Sequence, residues 1–115
     1  RGGHPVDCTD GLQRRDYLYV ADLARGIALL AESSLTGAVN IASGEALPVR
    51  DLITEVAAQI GRPELVRLGA RARPAGDPDE LRADVALARR TLGFVPAFTL
   101  ASGVRALLAA EAEVA

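Results

Sequence analysis

Between Arg14 and Leu30 the hydrophobic period of the chain changes from two to about 3.6, and no other stretch constrains the fold as much. Side chains of an extended segment alternate between faces, so Tyr17 and Tyr19 share one side and Asp16, Leu18 and Val20 the other. From Val20 onward the apolar positions are Val20, Leu23, Ala24, Ile27, Leu30 and Ala31, the spacing of a helix with one buried stripe. A strand therefore carries Arg14, Arg15 and Asp16 to the start of a helix, where α/β proteins commonly keep their chemistry. Residue chemistry alone implies an α/β module with an arginine-bearing, anion-friendly edge.

The 115 residues suit a single domain, 1–115, with half of them hydrophobic but only 3% aromatic. The core must be built from Ala, Val, Leu and Ile. All 13 basic residues are arginine and the net charge is −2, which gives neither a basic field for nucleic acid nor a polybasic membrane patch. No apolar run approaches the roughly 20 residues that span a bilayer, and no secretion signal opens the chain, so a cytoplasmic protein is expected. Cys8 has no cysteine partner and only His4 nearby, so it is read as a small hydrophobe in a strand. His4, beside Pro5, reads as an exposed structural residue. The chain contains no methionine and starts at Arg1 as though entering a strand in progress, so a fragment is expected.

In chain order, Val6 to Cys8 is a short strand that Asp10-Gly11 returns as a hairpin into Leu12 to Tyr19. The helix over Val20 to Ala31 ends in the polar break Ser33, Ser34, Thr36 and Gly37. Ala38 to Ala42 is a short buried strand by its β-branched content, and Ser43-Gly44-Glu45 turns the chain. Val49, Leu52, Ile53, Val56, Ala57 and Ile60 form the cleanest amphipathic helix, closed by Gly61 and Pro63. Leu65 to Leu68 is an edge strand, and Gly69 to Asp79 a loop. Asp84 caps a helix over Val85 to Leu92 that Gly93 ends, and Thr99 caps a last helix over Leu100 to Ala112.

No glycine-rich turn between strand and helix is present, so neither the dinucleotide fingerprint nor the nucleotide-triphosphate loop occurs. No serine sits in a nucleophile elbow. Arg15-Asp16-Tyr17-Leu18-Tyr19-Val20-Ala21-Asp22-Leu23-Ala24, preceded by Asp10-Gly11 and Gln13, resembles a segment of the extended short-chain dehydrogenase/reductases, the NAD-dependent nucleotide-sugar epimerases and dehydratases. Val39-Asn40-Ile41-Ala42-Ser43-Gly44-Glu45, Arg73-Pro74-Ala75-Gly76-Asp77, and Ala83-Asp84 through Arg89, Leu92, Gly93 and Phe94 match the same family in the same order. The resemblance runs from about Pro5 to Leu108.

That resemblance implies the small C-terminal, substrate-binding portion of such an enzyme, lacking the dinucleotide-binding Rossmann half. It assigns Arg15 and Arg73 to the diphosphate of a UDP- or dTDP-linked sugar and Asp77 to the ribose. Guanidinium forks suit phosphate oxygens, and a carboxylate accepts from sugar hydroxyls. Asp16 and Asp22 are read as ordering the strand-to-helix junction. The competing reading of Arg15 is an ion pair to Asp16 or Asp22, and that of Arg73 a structural arginine in an arginine-rich loop. Ala75 is an extra residue in the family's Arg-Pro-Gly-Asp run and shifts the relative reach of Arg73 and Asp77. Cys8 and Thr9 stand where the family has an aromatic residue and a glycine beside the base.

The family's Tyr-x-x-x-Lys pair is missing because the chain has no lysine, and neither Tyr17 nor Tyr19 is that tyrosine. The resemblance therefore implies NAD(P) for the complete enzyme and no cofactor or catalytic residue in this chain. In that enzyme a tyrosinate takes the sugar hydroxyl proton as nicotinamide takes the hydride. Its partners would be the nucleotide sugar, the N-terminal Rossmann part and, through apolar faces left on the helices starting at Val20 and Val49, a second copy. Two alternatives stay open: a non-enzymatic module that dimerises, and part of a sibling reductase with a non-sugar substrate.

Overall fold

The change of period at Val20 is a change of element in the computed structural model, which describes residues 3–114. In chain order the elements are β1 (Val6–Asp7), β2 (Arg14–Asp16), α1 (Val20–Ala31), β3 (Ala46–Pro48) and α2 (Val49–Gln59). A short 3-10 turn (Pro63–Leu65) leads to β4 (Val66–Arg67), β5 (Glu80–Leu81), α3 (Ala86–Leu92) and α4 (Leu100–Val114). The class is α/β, with short strands and four helices among the described residues.

β2 is the centre of a three-stranded sheet. It runs antiparallel to β3, with Arg15 opposite Leu47, and parallel to β5, with Arg15 opposite Leu81. β1 lies elsewhere, parallel to β4, with Val6 opposite Val66 and Asp7 opposite Arg67. The expected hairpin between β1 and β2 does not form, because the residues after β1 go on bonding to those after β4. The Cys8 N–H donates to the Arg67 carbonyl at 2.9 Å, that of Gly69 to Thr9 at 3.0 Å and that of Arg71 to Cys8 at 3.0 Å. Gly11 does take the positive φ a turn residue needs, 67°. Its reason is close packing: its carbonyl accepts from the Arg50 N–H at 2.9 Å, and a Cβ there would lie 2.8 Å from that nitrogen.

Ala38 to Ala42, expected as a strand, carries no ladder among the described residues. Asn40 instead donates its side-chain amide to the Asp84 carbonyl at 3.2 Å. Helix ends follow local chemistry more closely. The Asp84 carboxylate accepts from the Ala86 N–H at 3.0 Å, and Gly93 closes α3 in the left-handed region at φ 64°. Thr99 and Ser102 cap α4 reciprocally: the Ser102 N–H donates to Thr99 Oγ1 at 3.1 Å and the Thr99 N–H to Ser102 Oγ at 2.8 Å.

The interior is thin. Among the described residues the buried apolar side chains are Ala57 of α2, Ala88 of α3, Phe94 after α3 and Val104 of α4, and Asp22 is buried as well. The apolar face of α2 is largely covered, with Ala57 buried and Ile60 left at 47% exposure. α1 departs from its expected packing. It buries Asp22 and Gly26, while Val20, Leu23 and Ile27 of the apolar stripe remain 64%, 38% and 54% exposed. The exposed face expected on α1 is therefore present, and the one expected on α2 is mostly absent.

Candidate functional site

The centre of the sheet carries Arg15 to the edge of a loop that lies far away in sequence. Its guanidinium Nη2 donates to Asp77 Oδ1 at 2.6 Å, and Nη1 donates to the carbonyls of Pro78 at 2.9 Å and Arg14 at 2.7 Å. Both side chains of the ion pair are about four-fifths shielded, 21% and 22% exposed. Arg15 is thus ion-paired, as its competing reading had it, but to Asp77 and not to Asp16 or Asp22. Their positions explain why. Asp16 is already taken up by the turn after Ala42, accepting from Ser43 Oγ at 2.6 Å, Ser43 N–H at 3.0 Å and Gly44 N–H at 2.9 Å. Asp22 points into the interior on α1.

The loop has a defined shape. Pro74, Ala75, Gly76 and Asp77 form a four-residue turn, closed by the Asp77 N–H on the Pro74 carbonyl at 3.3 Å. Gly76, with φ 80°, sits at the third position, where a type II turn needs a positive φ. The additional Ala75 is thereby absorbed at the tip. The loop's far end runs along β2, where the Arg14 N–H donates to the Asp79 carbonyl at 2.7 Å. Arg73 does not join Arg15 and Asp77; its Nη2 donates to Asp79 Oδ1 at 3.1 Å. Asp79 was missed at the sequence level, and the repeated carboxylate in Asp77-Pro78-Asp79 was the available signal.

Two anchors hold this edge in register. Asp16, besides the turn at Ser43, accepts weakly from the Ala83 N–H at 3.4 Å. Asp22 accepts from the N–H groups of Ala97 and Phe98, both at 3.0 Å, and from Arg25 Nη2 at 3.1 Å. Burial alone would raise the Asp22 carboxyl, but the two N–H groups and the Arg25 guanidinium outweigh it and hold it below the usual carboxylate range. Arg25 in turn lies over the Phe94 ring, 4.9 Å from its centroid. Both acids bond to backbone and order the junction.

Gln13 shares a face of the extended segment with Arg15 and Tyr17. Its Oε1 is buried without a hydrogen-bond partner among the described residues.

Beyond Tyr17 a cleft of about 220 Å³ opens between β3, α2 and α4, walled by Tyr17, Tyr19, Leu47, Phe98 and Leu107. Burial pushes the Tyr17 hydroxyl above its usual range, against the pull of the Arg15 charge. Tyr19 and Phe98 pack ring to ring, 4.7 Å between centroids. A second hollow of about 400 Å³ is lined by Arg82, Asp84 and Arg89. Neither of these two hollows is lined by Arg15, Arg73 or Asp77.

Guanidinium groups suit anions, and at this edge both are paired with carboxylates, Arg15 with Asp77 and Arg73 with Asp79. Among the described residues no group of three or more His, Cys, Asp or Glu could hold a metal ion. A dinucleotide needs backbone close to its pyrophosphate at a helix start, which glycine permits. The residues leading directly into α1, α2, α3 and α4 (Tyr17-Leu18-Tyr19, Ala46-Leu47-Pro48, Ala83-Asp84-Val85 and Ala97-Phe98-Thr99) contain none. These turns do not fit the nicotinamide cofactor. No helix among the described residues is long and apolar enough to cross a membrane.

The family model for GDP-mannose 4,6 dehydratase matches residues 3–107. A dTDP-4-dehydro-6-deoxy-D-allose reductase from a Streptomyces species is 39% identical over 72 residues, 63% of this chain and 22% of the relative. A UDP-glucose 4-epimerase from Rhizobium meliloti (strain 1021) is 33% identical over 104 residues, 87% of this chain and 31% of the relative. Among solved structures, MoeE5 in complex with UDP-glucuronic acid and NAD is similar with a TM-score of 0.81 and 29% identity, over 98% of this chain and 38% of that one. UDP-glucose 4-epimerase from Brucella ovis in complex with NAD is similar with a TM-score of 0.74 and 34% identity, over 88% and 34%. This chain spans well under half the length of each of these proteins. It belongs to the GDP-mannose 4,6 dehydratase family, within the extended short-chain dehydrogenase/reductases.

Proposed function

We propose that this chain is the nucleotide-sugar-holding portion of a cytoplasmic NAD(P)-dependent epimerase or dehydratase, with Arg15 and the loop from Arg73 to Asp77 as its diphosphate edge. The observation that carries this reading is the meeting of Arg15 and Asp77, 62 residues apart in sequence, at 2.6 Å. The relatives named above are a reductase and an epimerase of nucleotide sugars, and MoeE5 was solved with UDP-glucuronic acid. In the complete protein, NAD(P) and the groups that move proton and hydride would sit outside these residues. This edge would fix the diphosphate, so that remote binding energy positions the sugar.

The test is calorimetric titration of the 115-residue chain with UDP and with dTDP at moderate salt, beside Arg15→Ala. A charge-assisted hydrogen bond contributes about 1.5–3 kcal/mol, so the variant should bind at least about tenfold more weakly. Equal binding by both chains would make Arg15 structural. A second reading, a module that dimerises, is favoured by one observation only, the exposed stripe of Val20, Leu23 and Ile27 on α1.

A further inference from the structure

We propose that α1 and the extended segment Ala38 to Ala42 form one docking surface, an unpaired strand with its covering helix, that joins the open sheet of the NAD(P)-binding part. This rests on the reading above, which puts that part outside these residues, and names the surface through which it meets the anion edge.

The segment has the pattern of a strand and none of the pairing. Ala38 and Asn40 are exposed while Val39 and Ile41 are half-buried, an alternation with period two. No backbone N–H or carbonyl of residues 38–42 has a hydrogen-bond partner among the described residues. The segment carries neither charge nor proline, two devices that keep an exposed edge from pairing. Free backbone groups beside β-branched side chains are a template for another strand.

The helix rests on this segment. A Cβ at Gly26 would lie 2.5 Å from Ile41 Cγ2, so the backbone of α1 comes right against it. Each residue turns a helix by about 100°, and Ile27 follows Gly26 directly. The stripe of Val20, Leu23 and Ile27 therefore faces sideways along the layer, where the next element of a larger sheet-and-helix layer would meet it.

The occupant follows from this chemistry and from where the surface is attached. An unpaired strand needs a sheet edge and an apolar stripe needs apolar cover, and an open dinucleotide-binding sheet with helices on its faces offers both. This chain spans 38% of MoeE5 and 34% of the Brucella ovis epimerase, so more than half of each similar protein lies outside the shared fold. Both ends of the surface are tied to the strand that carries Arg15. Only Tyr17-Leu18-Tyr19 separate β2 from α1. Ala42 leads into Ser43 and Gly44, whose N–H groups donate to Asp16 at 3.0 and 2.9 Å. A partner seated here is held beside the anion edge.

The test is co-expression of the tagged 115-residue chain with the part of Rhizobium meliloti UDP-glucose 4-epimerase that precedes its match to this chain. A one-to-one complex is expected in size-exclusion chromatography, with the amides of residues 38–42 slow to exchange with deuterium in the complex and fast in the chain alone. Leu23→Glu with Ile27→Glu, once circular dichroism shows the helices retained, should cut the co-eluting partner at least about tenfold. If the double variant loses helicity, the exchange of residues 38–42 decides alone. No complex, a complex that leaves those amides fast, one that the folded double variant does not weaken, or a second copy of this chain as the sole partner overturns it. The complex is scored without nucleotide, so this failure is distinct from that of the diphosphate reading, which is UDP binding that does not respond to Arg15→Ala.

Discussion

Asp22 is the buried charge among the described residues, and its three donors come from two directions: Arg25 one turn along its own helix, and the N–H groups of Ala97 and Phe98. Those donors favour the ionised form, so the folded-state pKa lies below the unfolded one. The resulting stabilisation is fully present above the unfolded carboxylate range, near 4, and is lost as pH falls through the depressed folded value. Asp22→Asn keeps one acceptor and turns an amide N–H₂ toward a backbone N–H, leaving a buried donor unpaired. It should cost about 2 kcal/mol near neutrality, and its stability should fall less than that of the unaltered chain between pH 5 and pH 3, in urea titrations at each pH. An equal acid dependence in both chains would remove Asp22 from the account. The sequence identified Asp22 and Asp16 as junction residues, because each sits where a strand hands over to a helix. It did not identify their partners, since nothing local to Asp22 marks Ala97 and Phe98, and nothing local to Arg15 marks Asp77.

At the scale of elements, what was legible followed the range of the interactions. α1, α2, α3 and α4 lie close to their expected bounds, because period, caps and terminating glycines are all local: Asp84 bonds Ala86, Gly93 turns left-handed, and Thr99 pairs with Ser102. Strand pairing is decided elsewhere in the chain. The Asp10-Gly11 signal implied a hairpin, yet β1 pairs with β4, and Ala38 to Ala42 has strand composition without a strand beside it. The contact through which α1 packs was not legible for a related reason. Hydrophobic spacing marks Val20, Leu23 and Ile27, but the helix packs through Gly26. A Cβ at Gly26 would lie 2.5 Å from Ile41 Cγ2 and 3.2 Å from Phe94 Cε1. Alanine there would gain about 1 kcal/mol in helix propensity, but it would force a stiff β-branched side chain and a buried ring apart at a cost of about 1–3 kcal/mol. Gly26→Ala should therefore lower the thermal midpoint, and a rise would show that α1 seats more loosely than this contact implies.

The molecule as a whole is a slab, 49 × 38 × 17 Å, with a radius of gyration of 16.5 Å against about 13 Å for a compact domain of this length. Its accessible surface is 7469 Å², where a compact 12.0 kDa chain would expose about 6,000 Å². The excess, about 1,500 Å², is nearly twice the share that one partner gives to an ordinary specific interface. Part of it is the stripe of Val20, Leu23 and Ile27, contiguous on α1 by its spacing and unmatched by charge within its own face. An apolar face on a sheet-and-helix layer this thin has a strong drive to be covered, and in the isolated chain another copy is the nearest partner. We expect the 115-residue chain to self-associate at micromolar concentration in sedimentation equilibrium, and Leu23→Glu with Ile27→Glu to shift it toward monomer. Because both positions lie outside the Asp22–Gly26 packing face, the helical circular dichroism of the double variant should match that of the unaltered chain. Loss of helicity would show that α1 depends on this face to fold, and unchanged association would move the contact to the exposed residues of α4, Leu107 first.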